Sequence, residues 1–356
     1  MDFFRFLIYP SYSITLVFAP VGGFESVTKA LERLNEELGV NILYDKTVTA
    51  IEESGVHVVN TESTESSSPK NKDTNPNKEF LSADLIVVNA DLPYAATSLI
   101  QTKNVTEQEA AAKFDWDDSF TYSSGVISFH WSINKSLDDL NTHNVFLMAG
   151  SKSQAELSWN ILRTNTGNVE GDVPFNFYVH RASKTDPSAA PPDCDSIMVL
   201  VPCKTLLRDP ECANLPRREA IEKYKEQFTQ DVVNETKKAV FKRLAAIDSL
   251  KDLENHILDE VVDTPATWSD QFNVAAGTPF ALSHGFAQLS LARPEQVSAS
   301  IRNVLFCGAS TRPGNGVPLV LIGAEQVAQK AVKQLREQAK QEVEELERRE
   351  EERLII

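Results

Sequence analysis

The chain has 356 residues, 51 acidic against 35 basic side chains and a formal charge of −16. At about 150 residues per domain that length points to roughly two domains, and 42% hydrophobic with 24% charged residues is globular rather than disordered composition. The acidic balance argues against nucleic-acid binding, because phosphate neutralisation needs clustered Lys and Arg.

Residues 1–19 are rich in Phe, Leu, Ile and Tyr, but Asp2, Arg5 and Pro10 interrupt them. No apolar stretch reaches the length of a membrane span, so no transmembrane helix is expected and the segment stays unassigned. Phe24, Val27, Leu31, Leu34 and Leu38 recur at helical spacing, with Gly22-Gly23 before them and Gly39 as a stop. Strand-like runs follow at 40–43, 47–51 and 56–59. Between 60 and 80 the chain is almost wholly polar and predicts a mobile surface loop. Ala83 to Asp91 is an apolar run ending in polar residues, the pattern of a buried parallel strand whose C-terminal end meets a ligand.

Thr106 and Glu109 have capping-box spacing for a helix. Val126–Ser132, Phe175–His180 and Ile197–Val201 predict strands, with a connecting loop at 185–192. Pro216 opens a predicted long helix carrying Ile221, Tyr224, Phe228, Val232, Val240 and Leu244 on one stripe. Near the C-terminus Val304–Cys307 reads as a buried strand, Gly308–Gly316 as a turn, and Val317 onward as a helix with Pro318 in its first turn. Beyond Lys333 the helix becomes rich in Glu and Arg, a solvated extension.

Cys194, Cys203, Cys212 and Cys307 lack the spacing of a zinc site or a redox dithiol, so reduced thiols and no metal are expected. The chemistry-bearing pattern is the strand, glycine turn and helix start from Gly308 to Pro318. First-turn N–H groups and the helix dipole favour an anion or an electron-rich edge there. Gly314 and Gly316 remove side chains, so a flat ring could approach the backbone. Position 319 is leucine, and no G-x-G-x-x-G turn for a pyrophosphate occurs in the chain.

The run GASTRPGNGVPLVLIGAEQVA at 308–328 resembles the C-terminal flavin motif of bacterial and fungal phytoene desaturases, within the flavin-containing amine oxidase superfamily. PVGGF at 20–24, ADLIVVNADLP at 83–93, SKTDPSAAPPDCDSIMVLVP at 183–202 and FNVAAGTPFALSHGFAQ at 272–288 resemble further family segments in the same order. The resemblance runs over roughly residues 20–335, and the 183–202 segment is similar to the fungal branch in particular.

The resemblance implies an α/β plus α+β flavoprotein: an incomplete FAD-binding domain of the amine oxidase type, interrupted by a substrate domain. The parts expected are 20–96 and 300–336 for the FAD domain, 97–299 for the substrate domain and 337–356 as a charged helical tail. The N-terminal dinucleotide-binding part has no counterpart in the chain, and exposed sheet edges and aggregation are expected as a result. The implied activity is FAD-dependent desaturation of phytoene in carotenoid biosynthesis, with hydride passing from polyene to flavin. Peripheral contact with an intracellular membrane goes with so apolar a substrate, and homo-oligomerisation is left open. Gly308, Pro313, Gly314, Gly316, Val317 and Pro318 would face the ring and ribityl part of FAD. Val48 would lie at the adenine end, and Asn89 to Pro93 near the domain crossover. Trp131, Trp268 and Phe280 are candidates for a substrate tunnel, against the alternative of plain core packing. His284 is expected as a packed, hydrogen-bonded histidine, and no catalytic residue is assigned. Two alternatives stand beside this reading: an inactive fragment that binds lipid or a partner only, and a related amine oxidase or retinol-saturase-like enzyme.

Overall fold

The computed structural model describes residues 20–61, 78–102, 116–156, 176–206, 215 and 217–354. The segment 1–19, most of the polar loop, the Thr106–Glu109 pair, Phe175, Cys212 and Pro216 lie outside them. In chain order the main elements begin with α1 (Gly23–Glu37), β1 (Lys46–Glu52), β2 (Gly55–Asn60), β3 (Glu79–Ser82) and β4 (Ile86–Val88). There follow β5 (Gly125–Ile133), β6 (Asn144–Leu147), β7 (Phe177–Arg181), β8 (Asp195–Cys203), α2 (Arg217–Lys225) and α3 (Gln230–Leu244). The last are β9 (Ile257–Asp263), α4 (Pro265–Phe272), β10 (Val304–Phe306) and α5 (Val317–Leu354). The fold is mixed α/β. It divides into two compact units, one built from 43–121 and from 280 onward, the other from the stretch ending at 42 and from 122–279.

The second unit is a five-stranded antiparallel sheet in the order β6-β7-β8-β5-β9. Strict alternation along β8 buries Asp195, Ile197, Val199, Val201 and Cys203, the period of a strand with one face on a core. The last four join Ile127, Phe129 and Trp131 of β5 and Val233, Val240 and Leu244 of α3 in one apolar cluster. Buried Asp195 is paired: the Arg181 guanidinium reaches it at 2.8 Å and the Leu137 N–H donates to it at 2.8 Å. The predicted long helix after 216 is two helices. Thr229 adopts an extended backbone and its Oγ1 accepts the Val232 N–H at 3.4 Å, so the chain stops and caps a new helix there. In α4, Thr264 and Thr267 cap each other's backbone N–H, Pro265 takes the first helical position, and Asn273 ends the helix at φ 53°.

The predicted first helix forms, but no residue of it is buried, and Phe24, Leu34 and Leu38 of its apolar stripe are exposed. The strand expected at 40–43 is absent. Val40 N–H instead closes α1 by donating to Asn35 O at 2.9 Å while Gly39 N–H donates to Glu36 O, a Schellman stop around Gly39 at φ 79°.

In the first unit β1, β2 and β3 form an antiparallel meander. β3, β6 and β9 are strands that the sequence patterning does not announce. β4 and β10 pair in parallel, Ile86 opposite Val304 and Val88 opposite Phe306, with β10 wholly buried. Asn303 tethers this pair, its Nδ2 donating to Glu53 O at 2.7 Å and to Asp84 O at 3.1 Å. The charged tail expected at 337–356 continues α5 as helix through Leu354.

Candidate functional site

Parallel strands leave a sheet at the same end, so the segments after β4 and β10 meet. Cys307 N–H donates to Val88 O at 2.9 Å, one residue past the end of β10. Beyond it, buried Ser310 donates through Oγ to Asp91 Oδ1 at 2.9 Å. Thr311 closes the turn on itself: its N–H and its hydroxyl both donate to Gly308 O, at 3.1 and 2.9 Å. The Arg312–Pro313 peptide is cis. Val320 N–H then donates to Gly316 O at 2.9 Å, the first bond of α5. The N–H groups of Val317 and Leu319 precede any possible i−4 acceptor in that helix and point outward at the positive end of its dipole.

Side chains from 280–296 hold this turn from outside. Arg293 is 1% exposed. Its Nη1 donates to Ser283 O at 2.7 Å, and its Nη2 to Leu282 O at 2.9 Å and Ala309 O at 2.7 Å. Its Nε has no partner, and among the described residues no carboxylate pairs with it. A positive charge is thus buried on backbone carbonyls alone, and burial pulls its pKa down. Gln296 donates to Arg312 O at 2.8 Å and Gly323 O at 3.2 Å, and its own oxygen accepts from Lys330 of α5 at 2.6 Å. Arg312 Nε donates to Arg293 O at 3.0 Å. His284 Nε2 accepts the Asn315 N–H at 3.1 Å, and Asn315 Nδ2 donates to Phe280 O at 2.6 Å. Burial first, then the Arg293 charge, hold the His284 pKa below its ordinary value.

Gly308, Pro313, Gly314, Gly316, Val317 and Pro318 therefore lie along one turn. The two glycines singled out by sequence have different surroundings. Gly314, at φ 143°, is buried, and a Cβ there would collide with His284 Nε2. Gly316, at φ 91°, is exposed and faces open space, with nothing within 4 Å of where a Cβ would stand. Phe280 is tied to the turn through its carbonyl, and its ring is 41% exposed. Val48 is half-buried opposite Val58 in the meander, on a different sheet from the parallel pair.

Trp131 and Trp268 belong to the other unit. Trp131 is 1% exposed, stacks on Phe241 at 5.0 Å and donates through Nε1 to Glu260 at 2.7 Å. It is a core residue. Trp268 is half-buried and stacks on exposed Phe272, and its indole N–H is buried without a partner. Among the described residues no three His, Cys, Asp or Glu side chains cluster as metal ligands, and Cys194, Cys203 and Cys307 are free thiols. Burial raises the Cys203 and Cys307 thiols above their usual pKa. No described helix is long and apolar enough to cross a membrane.

No family model matches the chain. Over 319 residues it is 31% identical to the phytoene desaturase of Neurospora crassa, covering 89% of this chain and 48% of that protein. The chain is a relative of the phytoene desaturases. The ζ-carotene-forming phytoene desaturase of Myxococcus xanthus is 28% identical over 319 residues, 88% of this chain and 52% of its own. The chain spans about half the length of these curated phytoene desaturases. Among solved structures, an oxidoreductase from Methanosarcina mazei superposes with a TM-score of 0.48 at 15% identity, over 87% of this chain and 55% of that one.

Proposed function

We propose that this chain carries the flavin-facing turn and the substrate domain of an FAD-dependent carotenoid desaturase acting on phytoene or a similar apolar polyene. The observation that carries the reading is the exposed Gly316 at the start of α5, on a turn locked from behind by Arg293, Gln296 and His284. A side chain at 316 would fill the space before the helix start. The donor set there is backbone N–H and helix dipole, backed by a buried guanidinium that has no carboxylate counter-charge among the described residues. That set suits the electron-rich polar edge of a flat heterocycle, and it fits a flavin.

Gly308, Pro313, Gly314, Gly316, Val317 and Pro318 would hold the ring and ribityl part, and Val48 the adenine end. When bound, FAD supplies a two-electron acceptor for hydride leaving the polyene. The chain's own residues would bind and orient it: the Val317 and Leu319 N–H groups would face the ring edge, and Arg293 would bias the site toward negative charge. Exposed Phe280 is the tunnel candidate nearest in the chain to this turn.

A polyene dissolved in lipid has to be collected from a membrane surface. Phe286 (96% exposed) and Leu291 (79%) stand out from one short loop. Buried Gln288 pins that loop through Thr121 O and Ser283 O, and Arg312 holds Leu291 O at 2.5 Å. We assign this loop to shallow insertion at the bilayer interface.

Titration of the purified chain with FAD, read by flavin fluorescence and the visible absorbance of the gel-filtered complex, tests the reading. Saturable uptake lost on Gly316→Leu is expected. A chain that takes up no FAD at any concentration overturns it.

A further inference from the structure

Asn315 is gripped at both ends by a single neighbouring segment. His284 Nε2 takes its backbone N–H at 3.1 Å, and the Phe280 carbonyl takes its side-chain amide at 2.6 Å. The 280–284 segment is itself fixed. Ser283 N–H donates to Thr121 O at 2.8 Å, and Arg293 binds the Leu282 and Ser283 carbonyls. On either side of Asn315 stand Gly314 at φ 143° and Gly316 at φ 91°. Glycines at such angles have many other conformations within reach, so the turn's shape depends on what holds its middle residue.

The bond fixes the imidazole's protonation. A backbone N–H only donates, so Nε2 must carry a lone pair, and the ring proton of neutral His284 sits on Nδ1. The ring also packs against the Cα of Gly314, so tightly that a Cβ there has no room. The glycine at 314 thus answers to His284, and the one at 316 to the open side.

We infer that His284 is a positioning residue: by accepting the Asn315 N–H at an unprotonated Nε2 it fixes the Gly314–Gly316 turn in the form that keeps the start of α5 open for a flavin. The ligand named here rests on the function proposed above, while the role in shaping the turn does not.

Two substitutions separate acceptor chemistry from packing. Glutamine can bring its Oε1 near the position of Nε2, whereas leucine fills similar space without an acceptor. With His284→Gln, Asn315 amide hydrogen exchange and FAD affinity are expected within about three-fold of the parent chain. With His284→Leu the amide should exchange up to about ten-fold faster, and FAD should bind up to about ten-fold more weakly, the upper end of the net worth of one hydrogen bond. Circular dichroism should be unchanged in both. A leucine variant that keeps the amide protected overturns the inference, whatever its flavin affinity. If the parent chain takes up no FAD, the flavin reading fails, and the exchange arm alone decides the role of His284. If the leucine variant does not fold, nitrogen chemical shifts of His284 in the parent chain decide. A proton on Nδ1 with Nε2 bare supports the inference, and the opposite tautomer or a doubly protonated ring at neutral pH overturns it.

Discussion

Ser310 Oγ and Asp91 Oδ1 lie 2.9 Å apart although 219 residues separate them in sequence. This bond ties the exit of β10 to the exit of β4, so the turn at 308–316 is anchored to both strands of the parallel pair. Ser310 is 3% exposed, and its partner is charged. Ser310→Ala should therefore cost about 1.5–3 kcal/mol, the range for a hydrogen bond to a charged group. Urea unfolding would measure it, and an unchanged midpoint would contradict the anchoring role.

Gly314→Ala and Gly316→Ala should behave differently. Both force a Cβ onto a positive φ, a strain of about 1 kcal/mol or more. Only at 314 does the new atom also collide with His284. The Gly314 variant should lose clearly more stability, and part of that loss should be recovered in the double variant Gly314→Ala, His284→Ala. Equal losses, or no recovery, would argue against the packing described.

Arg293→Met keeps apolar volume but strands the Leu282 and Ala309 carbonyls, while Ser283 O keeps its bond from Gln288. Each buried acceptor left unpaired costs about 1–3 kcal/mol, so a large drop in melting temperature or an insoluble product is expected. Arg293→Lys should rescue little, since an ammonium cannot reproduce the planar fork. Expression level and thermal shift read both outcomes.

His284 has a lowered pKa in the folded chain, so folding favours its neutral form. A depressed histidine contributes stability that is full above its unfolded value of about 6.5 and is lost as pH falls through the lower folded value. His180, depressed by burial and by the His143 charge, acts in the same direction. Melting temperature should therefore fall on acidification below about pH 6.5, and less steeply in His284→Gln than in the parent chain. Parallel curves for the two would refute the assignment.

Phe286→Ser with Leu291→Ser should leave folding intact, because both side chains are exposed, and should weaken co-sedimentation with phosphatidylcholine vesicles several-fold. Equal co-sedimentation of parent and variant would remove the loop from membrane contact.

Much of the fold is written in short-range pattern. The runs at 197–201 and 83–91 announce two strands, and both form, the second as a parallel strand of only Ile86–Val88 whose Val87 is exposed rather than buried. The stripe from Phe24 to Leu38 and the Gly39 stop describe α1 closely. β9 escapes notice because it is an edge strand carrying Asp259 and Glu260. β3 is four residues long and follows a polar run. The break between α2 and α3 is hidden because Phe228 keeps the helical period across it, and Thr229, the cap, is an ordinary residue in a polar stretch. At the candidate site, glycine spacing makes the turn legible. Arg293 and Gln296 are not legible in that way, since their roles rest on carbonyls brought together by the tertiary fold; His284 is expected as a hydrogen-bonded histidine and is one, but its partner Asn315 is set by that same fold. Trp131 shows the converse: an aromatic in a strand pattern gives no sign whether it lines a cavity or fills a core, and here it fills one.

The buried guanidinium of Arg293 has a consequence for how the turn comes apart. One side chain serves carbonyls at 282, 283 and 309, and its own carbonyl receives Arg312. None of these ties can loosen while the others stay, because any partial opening leaves the same cation facing carbonyls that no longer surround it. The loop at 282–293 and the glycine turn therefore make or lose their order as one cooperative block, and their amides should exchange with solvent in a single correlated event rather than one by one.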